Sequence, residues 1–563
     1  MIAALVGTLR DHPEVTFFLV LGIGYLLGKV KLGSFTLGAV TGTLLAGVAI
    51  GQLGVQVSSE VKQCFFLLFL FSIGFRTGPQ FFRGLKSDGL QQAALSVIVA
   101  VSGLVVAYLV SRMFGYDAGT AAGVIAGALT ESATIGTASD AIARLGLPGE
   151  EAAALTNRIP VAFAVTYLIG VVGAAWFLAQ LAPRIMGIDL EKECRRYEEQ
   201  MQGRHAADSA ARPEVELRAY AVQPGSPLLG RRAGELEQLA AADRLFIERI
   251  RRGDRILDAA GDVSGLQVGD TLAITGRRER LVARLDEQRL GVLEVDDKDL
   301  LAIPADVLDV VVTHPELDGR TLAELAREDF ARGVYVRRLS RAAVPIPLFP
   351  ATTLHRGDVL TLVGPGGRIA EAVRHLGIPD RVTDVTDMVL VAFGIVLGAL
   401  VGIPALLVGG IEIGLSLSVG VLLGGLVCGW LRSTWPRFFG RIPGPTLWVF
   451  ESIGLAGFVA VVGLNAGPDF IVGVRTSGVT LLVAGLLTVL VPHLVGVLVG
   501  RWAFKMHPGV LLGVCAGAGT ATPALAAIQE AAKSPVPTLG YGVAYAVGNV
   551  LLALWGTVIV ALL

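Results

Sequence analysis

Charged residues are scarce in this sequence and unevenly distributed. Only 17% of its 563 residues are Asp, Glu, Lys or Arg, whereas 53% are hydrophobic and 71 are glycine. The mean hydropathy is +0.64. A composition this apolar and this rich in glycine excludes an ordinary soluble enzyme. The net charge of −1 gives no indication of a nucleic-acid partner, and we expect none.

Cysteine is almost absent, and the motifs of cofactor and metal sites are missing. Four cysteines share no Cys-x-x-Cys spacing, so neither a disulfide framework nor a metal site is predicted. The sequence has no Walker A motif, which excludes ATP as the direct energy source. The run Gly364-Pro-Gly-Gly367 departs from the Gly-x-Gly-x-x-Gly spacing of dinucleotide sites. We therefore expect no enzyme, no cofactor and no metal.

Long apolar runs are what the sequence has in abundance. A helix needs about 20 mostly apolar residues to cross the hydrocarbon core of a membrane. Runs near that length form two series, separated by a charged region at 184–385. They lie near 14–28, 34–52, 61–82, 90–113, 118–143 and 152–181, and then near 386–403, 406–431, 446–466, 478–500, 508–532 and 539–563. A polytopic membrane protein is predicted, with its first run a retained helix rather than a signal peptide.

The two series share their glycine and proline pattern. Gly74-Phe-Arg-Thr-Gly-Pro-Gln-Phe81 corresponds to Gly463-Leu-Asn-Ala-Gly-Pro-Asp-Phe470. Gly123-Val-Ile-Ala-Gly-Ala-Leu-Thr130 corresponds to Gly513-Val-Cys-Ala-Gly-Ala-Gly-Thr520. Generic helix packing also favours small residues, but here order and spacing both agree. The halves are therefore interpreted as repeats.

The orientation of the halves follows from lysine and arginine in short loops, which mark the cytoplasmic side. If all six runs of the first half crossed, the charged region would lie opposite Lys29, Lys31, Arg83 and Lys86. The conflict disappears if 118–143, rich in Gly, Ala, Thr and Ser, is a re-entrant hairpin, which is allowed where protein or water satisfies the backbone.

This arrangement defines the expected fold. Each repeat has five transmembrane helices plus one re-entrant hairpin, the repeats are inverted, both termini are external and the insert is cytoplasmic. The alternative is twelve plain helices in parallel repeats. The predicted domains are the first membrane repeat, a linker, two insert modules and the second membrane repeat, at 1–183, 184–212, 213–296, 297–380 and 381–563.

The insert contains the same pattern twice. Leu266-Gln-Val-Gly-Asp-Thr-Leu-Ala-Ile-Thr-Gly276 and Leu354-His-Arg-Gly-Asp-Val-Leu-Thr-Leu-Val-Gly364 each place a Gly-Asp turn before an alternating strand that stops at glycine. Both units resemble the C-terminal subdomain of the RCK (TrkA-C) family, a small α/β module. The resemblance implies a regulatory or dimerising element, whose small-molecule ligand, if any, is unknown.

Arg76 is the sharpest substrate-binding candidate. An arginine beside a Gly/Pro pair in an apolar span is costly unless it is paired or binds an anion. Its planar guanidinium binds a carboxylate through two hydrogen bonds. The repeat places neutral Asn465 at the equivalent position, as an asymmetric substrate requires. The alternative is that Arg76 only reaches the cytoplasmic interface beside Arg83 and Lys86.

The predicted hairpin tips supply hydroxyl groups and backbone amides that suit an anion. The alternative is that these hydroxyls bond back to their own helices. Glu131 has no acidic counterpart in the second half, and it either binds an amino group or a proton, or pairs with an arginine such as Arg158. The tip candidates are Thr130, Glu131, Ser132, Thr134, Thr520, Thr522 and Pro523.

The last helix of each half adds further polar candidates. Asn549 interrupts an apolar helix and points to a polar interior, although a helix-to-helix hydrogen bond explains it almost as well. Asp140 and Asp469 are expected at solvated ends or edges. The secondary candidates are Asn157, Arg158, Tyr167 and Tyr545.

Together, the paired GFRTGPQF and GLNAGPDF motifs, the GALTES and GAGTAT hairpins and the tandem TrkA-C-like insert resemble the aspartate:alanine exchanger family. The resemblance covers essentially the whole chain. It implies a homodimeric antiporter of the bacterial inner membrane that exchanges aspartate for alanine by an elevator-like motion, and it leaves a succinate-type dicarboxylate exporter open.

A cation exchanger or channel regulated by the RCK-like modules is the remaining alternative. A channel needs a carbonyl-lined filter such as TVGYG. The nearest run, Thr538-Leu-Gly-Tyr-Gly542, occurs once and opens a plain helix.

Overall fold

A computed structural model describes most of the chain. The described residues are 2–32, 35–36, 38–55, 57–84, 89–202, 215–232, 245–258, 265–277, 281, 291–302, 305–331, 333–341, 344–380, 385–408, 411–414, 416–435 and 438–563. The predicted boundaries at 212/213 and 380/381, together with Lys86, lie at or within the gaps between these ranges. The chain divides into one unit of 1–197, 341–347 and 382–563 and another of 198–340 and 348–381.

The first half of the membrane unit is helical apart from one short β-hairpin. Its elements are α1 (Ile2–Asp11), α2 (Pro13–Gly28), β1 (Lys31–Leu32), β2 (Phe35–Thr36), α3 (Ala39–Gly51), α4 (Ser59–Gly84), α5 (Leu90–Phe114), α6 (Ala118–Ala128), α7 (Ala133–Ala143), α8 (Gly149–Trp176), α9 (Ala182–Ile185) and α10 (Leu190–Gln202). A π-helical turn at Phe177–Leu181 joins α8 to α9.

The insert follows as β3 (Val215–Val222), β4 (Phe246–Arg252), β5 (Arg255–Asp258), β6 (Thr271–Arg277), β7 (Val292–Val295), α11 (Lys298–Leu301), β8 (Ala305–Val312), α12 (Leu322–Leu325), β9 (Tyr335–Arg341), β10 (Val344–Ile346), β11 (Val359–Pro365), α13 (Gly366–Leu376) and β12 (Gly377–Pro379). The second half of the membrane unit comprises α14 (Met388–Gly402), β13 (Ala405–Val408), β14 (Ile411–Gly414), α15 (Leu417–Thr434), α16 (Gly444–Leu498), α17 (Pro508–Ala518), α18 (Thr522–Ala532) and α19 (Thr538–Leu562).

The halves repeat one another in the order of their elements. In both, a two-stranded hairpin separates two apolar helices, α2 and α3 in the first half and α14 and α15 in the second. In both, a helix–break–helix pair precedes a long helix, α8 or α19. The pairs are α6–α7 and α17–α18, and each of their four arms has 11 residues. At about 1.5 Å per residue such an arm is roughly 16 Å long, too short to cross a membrane. The inverted orientation of the repeats stays a prediction.

Two helices begin later than the predicted crossings. Among the described residues, seven segments are long and apolar enough to cross a membrane. The shorter helices α2, α3 and α14 have 16, 13 and 15 residues. Of these, α2 and α14 nearly fill their predicted runs of 14–28 and 386–403. The runs near 34–52 and 406–431 instead begin in short strands, so α3 and α15 begin only at Ala39 and Leu417. Conversely, the runs predicted as separate helices at 446–466 and 478–500 lie in one continuous helix, α16.

The helices of the membrane unit pack as two groups. One contains α2, α3, α4, α14, α15 and the first part of α16; the other contains both hairpins with α5, α8, α19 and the later part of α16. Close packing depends on glycine, because a methyl group at Gly78 would overlap the carbonyl of Leu426 and one at Gly51 would overlap that of Leu464. The groups meet chiefly through α4 with α19 and α7 with α15.

The polar stretch predicted as a linker begins as a docked helix. Leu190 and Cys194 of α10 are buried, and the Tyr197 ring lies 4.4 Å from that of His507. Lys533 Nζ, at the end of α18, lies 3.1 Å from a carboxylate oxygen of Glu191. The i, i+4, i+7 spacing of the three apolar residues gives an otherwise polar helix one packing face. The rest of the predicted linker, 203–212, lies outside the described residues.

The insert contains two five-stranded antiparallel sheets with the same strand order. The orders are β5-β4-β6-β3-β7 and β10-β9-β11-β8-β12. The predicted Gly-Asp turns are present before β6 and β11, with Gly269 at φ +88° and Gly357 at φ +85°. A side chain is strained at such angles, which accounts for glycine there. The following helix is present as α13 after β11; the stretch after β6 is outside the described residues except for Leu281.

Asp270 holds the first of these turns together. Its carboxylate is 1% exposed, accepts the Gln267 backbone N–H at 2.8 Å and forms two hydrogen bonds with Arg252 at 2.7 and 2.9 Å. Asp358 is equally buried and accepts the His355 N–H at 2.9 Å. The two turns are therefore built in the same way.

Replacing Asp270 by Ala should destabilise the first sheet by about 2–3 kcal/mol, because it leaves a partly buried guanidinium without its carboxylate. Hydrogen exchange of the full-length protein in detergent should show faster exchange at 246–252 and 271–277. Asp254→Ala, in an exposed turn, serves as the control. Wild-type protection in the Asp270 variant would contradict this account.

Candidate substrate site in the membrane unit

The two hairpin tips meet, as their sequences predict. The Thr130 hydroxyl donates to the Gly519 carbonyl at 3.2 Å, and the Thr520 hydroxyl donates to the Leu129 carbonyl at 3.0 Å. The two hydroxyl oxygens are 3.4 Å apart. Both threonines have left-handed backbone angles, with φ of 54° and 50°. These hydroxyls therefore join the tips to each other.

Other tip candidates contact α19. Thr134 Oγ1 donates to the Leu552 carbonyl at 2.8 Å, which fixes α7 against that helix. Thr522 Oγ1 lies 2.9 Å from the Tyr541 hydroxyl, and Thr522 and its neighbour Pro523 are exposed. Ser132 is buried at the start of α7. The structure thus gives Thr134 a packing contact and leaves Thr522 and Pro523 at an open surface of the tip.

Glu131 is enclosed at the first tip. Its side chain is 3% exposed, and Oε1 accepts the Ala133 backbone N–H at 3.1 Å. This position at the N-terminal end of α7 favours a carboxylate, because the helix dipole is positive there. Glu131 also interacts electrostatically with Tyr541 and Tyr545 of α19.

Arg76 is paired with an acid that the sequence analysis did not select. Arg76 Nη2 lies 3.0 Å from Oε2 of Glu451 in α16, and the side chains are 33% and 16% exposed. Arg76 Nε and Glu451 Oε1 are buried and have no hydrogen-bond partner within the described structure. A carboxylate within the apolar run 446–466 was the available signal for Glu451.

The ion pair belongs to a larger polar cluster between the two helix groups. Tyr545 interacts electrostatically with Arg76 and Glu451 as well as with Glu131. Gln80, one turn after Arg76, is buried with its Oε1 unpartnered among the described atoms. We define the polar cluster as Arg76, Gln80, Glu131, Glu451 and Tyr545.

Asn549 adjoins the polar cluster, because its Nδ2 donates to the Tyr545 carbonyl at 2.8 Å. This contact stays within α19 and is therefore not the helix-to-helix hydrogen bond named as the alternative for that residue. Tyr167 packs on Phe163 with ring centroids 5.1 Å apart, and Asn157 is half-buried in α8 and has a partner.

The remaining candidates lie in other contacts. Asn465, the repeat counterpart of Arg76, accepts the Val57 backbone N–H at 3.4 Å and donates to the Val57 carbonyl at 3.5 Å. It therefore holds the segment before α4 in place. Arg158 pairs with Asp117 at 2.7 Å, beside the start of α6, rather than with Glu131.

Asp140 is not the solvated carboxylate that was expected. It is half-buried, accepts hydrogen bonds from Ser418 at the start of α15 and interacts electrostatically with Lys62 of α4. The side chain of Asp469 lies outside what the structure describes. The Asp140–Ser418 contact thus lies between the two helix groups, apart from the polar cluster.

Comparison with known proteins decides the family. The aspartate:alanine exchanger model, described as a predicted permease membrane region, matches residues 16–183 and 390–561. The chain belongs to the aspartate:alanine exchanger family of membrane transporters. A TrkA-C domain model matches 307–377, the second sheet of the insert. The first sheet has the same strand order but lies outside that match.

The family's relatives cover the whole chain. An uncharacterized transporter of Shewanella oneidensis is 40% identical over 561 residues, covering 99% of both chains. An uncharacterized transporter of Bordetella parapertussis is 38% identical over 568 residues, covering 100% of this chain and 98% of the relative. No solved structure matches the chain. The chain is accordingly a multi-pass membrane transporter with a TrkA-C insert.

The contact between the tips predicts a specific cross-link. After replacement of the four native cysteines, Thr130→Cys with Thr520→Cys should form a disulfide under mild oxidation, because the two hydroxyl oxygens are 3.4 Å apart. With a protease site introduced at 209, the cut halves should stay joined on a non-reducing gel. Asn157→Cys with Thr520→Cys is the control pair, because it also spans the cut but Asn157 lies in α8, away from the tip. Separation of the oxidised halves would contradict the tip contact.

Proposed function

We propose that this transporter is a secondary antiporter of small carboxylates that exchanges aspartate for alanine across the bacterial inner membrane. The observation that carries the proposal is the Arg76–Glu451 pair, in which one buried guanidinium N–H, that of Nε, has no partner among the described residues. Family membership supports transport, and the cluster supports an anionic substrate with an amino group.

The Arg76 guanidinium suits a carboxylate ligand. It has five N–H donors in a planar fork, and the described structure occupies only part of them. The side chain is one-third exposed, whereas its unpartnered Nε atom is buried. An arginine at membrane depth commonly marks a substrate pathway.

The packing of the membrane unit supports an elevator-like mechanism. The hairpins and their partner helices form one group, and α4, α15 and the first part of α16 belong to the other. The polar cluster contains Glu131 and Tyr545 from the hairpin group and Arg76, Gln80 and Glu451 from the group of α4, α15 and the first part of α16. A displacement of one group against the other would expose such a site to opposite sides in turn, as alternating access requires.

The remaining features complete the proposal. The insert is cytoplasmic and both termini are external, according to the lysine and arginine distribution. The protein acts as a homodimer in the lipid bilayer, and its TrkA-C module binds a small-molecule regulator. A succinate-type dicarboxylate is the alternative substrate.

Cation exchange regulated by the insert is the second candidate. The buried Glu131 and the half-buried Glu451 interact electrostatically with the same tyrosine, and paired acids suit a cation. The adjacent arginine argues against it, because its positive charge repels a cation at the same place. Flux measurements separate the two candidates directly.

Arg76→Lys should lower the kcat/KM of aspartate:alanine exchange at least about tenfold, because an ammonium group does not reproduce the planar fork. The measurement is counterflow of labelled aspartate and alanine in proteoliposomes. Arg158→Lys is the matched control, because Arg158 also pairs with one carboxylate but lies outside the polar cluster.

Sodium or potassium flux without exchange of aspartate, alanine or succinate would overturn the proposal and favour the cation exchanger. Equal loss in the Arg76 and Arg158 variants would remove Arg76 from the substrate site.

A further inference from the structure

We propose that Glu451 receives the ammonium group of the substrate, so that the Arg76–Glu451 pair recognises an α-amino acid as a zwitterion and discriminates against amine-free dicarboxylates. This inference rests on the proposed function and assigns its selectivity. Binding of the amino group, which the sequence suggested for Glu131, is thereby assigned to Glu451 in the second half.

Two buried atoms of the Arg76–Glu451 ion pair lack a hydrogen-bond partner among the described residues. The contact at 3.0 Å uses one nitrogen of Arg76, Nη2, and one oxygen of Glu451, Oε2. The buried donor Arg76 Nε and the buried acceptor Glu451 Oε1 have no partner among the described residues. Buried polar atoms are nearly always hydrogen-bonded, and each exception calls for an explanation.

A zwitterion supplies both missing partners. Its carboxylate accepts from the guanidinium, and its ammonium donates to the free carboxylate oxygen. Because both groups are bonded to the same α-carbon of an α-amino acid, they suit a donor and an acceptor on one ion pair. A dicarboxylate such as succinate offers no donor to Glu451 and adds a negative charge beside it.

Glu131 is less suited to the ammonium group. Its Oε1 already accepts the Ala133 N–H, at a helix start that stabilises the carboxylate. Its side chain is 3% exposed, whereas that of Glu451 is 16% exposed and its ion-pair partner Arg76 is 33% exposed. Of the two acids, Glu451 is therefore the one with the more exposed side chain and with a carboxylate oxygen that has no partner among the described residues.

The ion pair is not needed to hold its two helices together. Phe65 and Phe69 of α4 pack directly against Gly454 and Gly457 of α16, within two turns of Glu451. Neutral replacement of Glu451 therefore leaves this packing in place. A purely structural pair would also use its remaining atoms in the protein, which Nε and Oε1 do not.

The test compares ligands that differ only by the amine. Counterflow of labelled aspartate is measured in proteoliposomes with succinate as competitor, and counterflow of alanine with propionate. Glu451→Gln keeps the shape of the side chain and removes its charge. Asp117→Asn is the matched control, because Asp117 also pairs with an arginine, at 2.7 Å, and asparagine still caps α6.

Glu451→Gln should raise the KM of aspartate and alanine at least tenfold and lower the ratio of succinate Ki to aspartate KM at least tenfold. Asp117→Asn should leave the two KM values and this ratio at the wild-type value. If Glu451→Gln does not reach the membrane, the Arg76→Gln/Glu451→Gln double variant, which leaves no unpaired charge, should show the same fall in the ratio.

Equal loss of affinity for aspartate and succinate would overturn the inference and assign Glu451 a structural role, while leaving the proposed function intact. An unchanged KM for alanine would also overturn it. Absence of exchange by the wild-type protein would instead defeat the proposed function together with this inference.

Discussion

The structure of the membrane unit depends on satisfying the backbone where the two hairpins stop. Polar backbone groups at membrane depth need a partner inside the protein. The carbonyls of Leu129 and Gly519 find theirs in the hydroxyls of Thr520 and Thr130, each from the opposite half. This explains why threonine occupies positions with positive φ, where glycine costs less: glycine has no hydroxyl. Neither tip is complete without the other, so the halves form one unit.

The features that could be predicted from the sequence are those encoded in a short local motif or present in both repeats. GALT and GAGT located both tips, and Gly269 and Gly357 marked the turns of the insert. Helix lengths were harder, since the hydropathy of an apolar run does not show where α3 or α15 begins. Glu451 was missed because it has no acidic repeat counterpart and its partner, Arg76, is 375 positions away. Such a pairing exists only after the helices have packed.

The repeat conserves packing more strictly than charge. Gly74 and Gly78 bring α4 against α15, just as Gly463 and Gly467 bring α16 against α3. The offset of 389 between Gly74 and Gly463 also relates Arg76 to Asn465 and Lys62 to Glu451. Equivalent positions thus carry different charges on the same scaffold.

This asymmetry separates two polar regions along α4. In the first region, Arg76 pairs with Glu451 and interacts electrostatically with Tyr545. In the second region, Lys62 interacts electrostatically with Asp140 of the first hairpin. Asn465, the counterpart of Arg76 on α16, bonds to the Val57 backbone and has no acidic partner there among the described residues. Because glycine contacts between backbones determine the helix packing, the charged positions can differ without altering it. A pseudosymmetric scaffold can therefore hold two chemically distinct sites, and the zwitterion-binding pair belongs to only one of them.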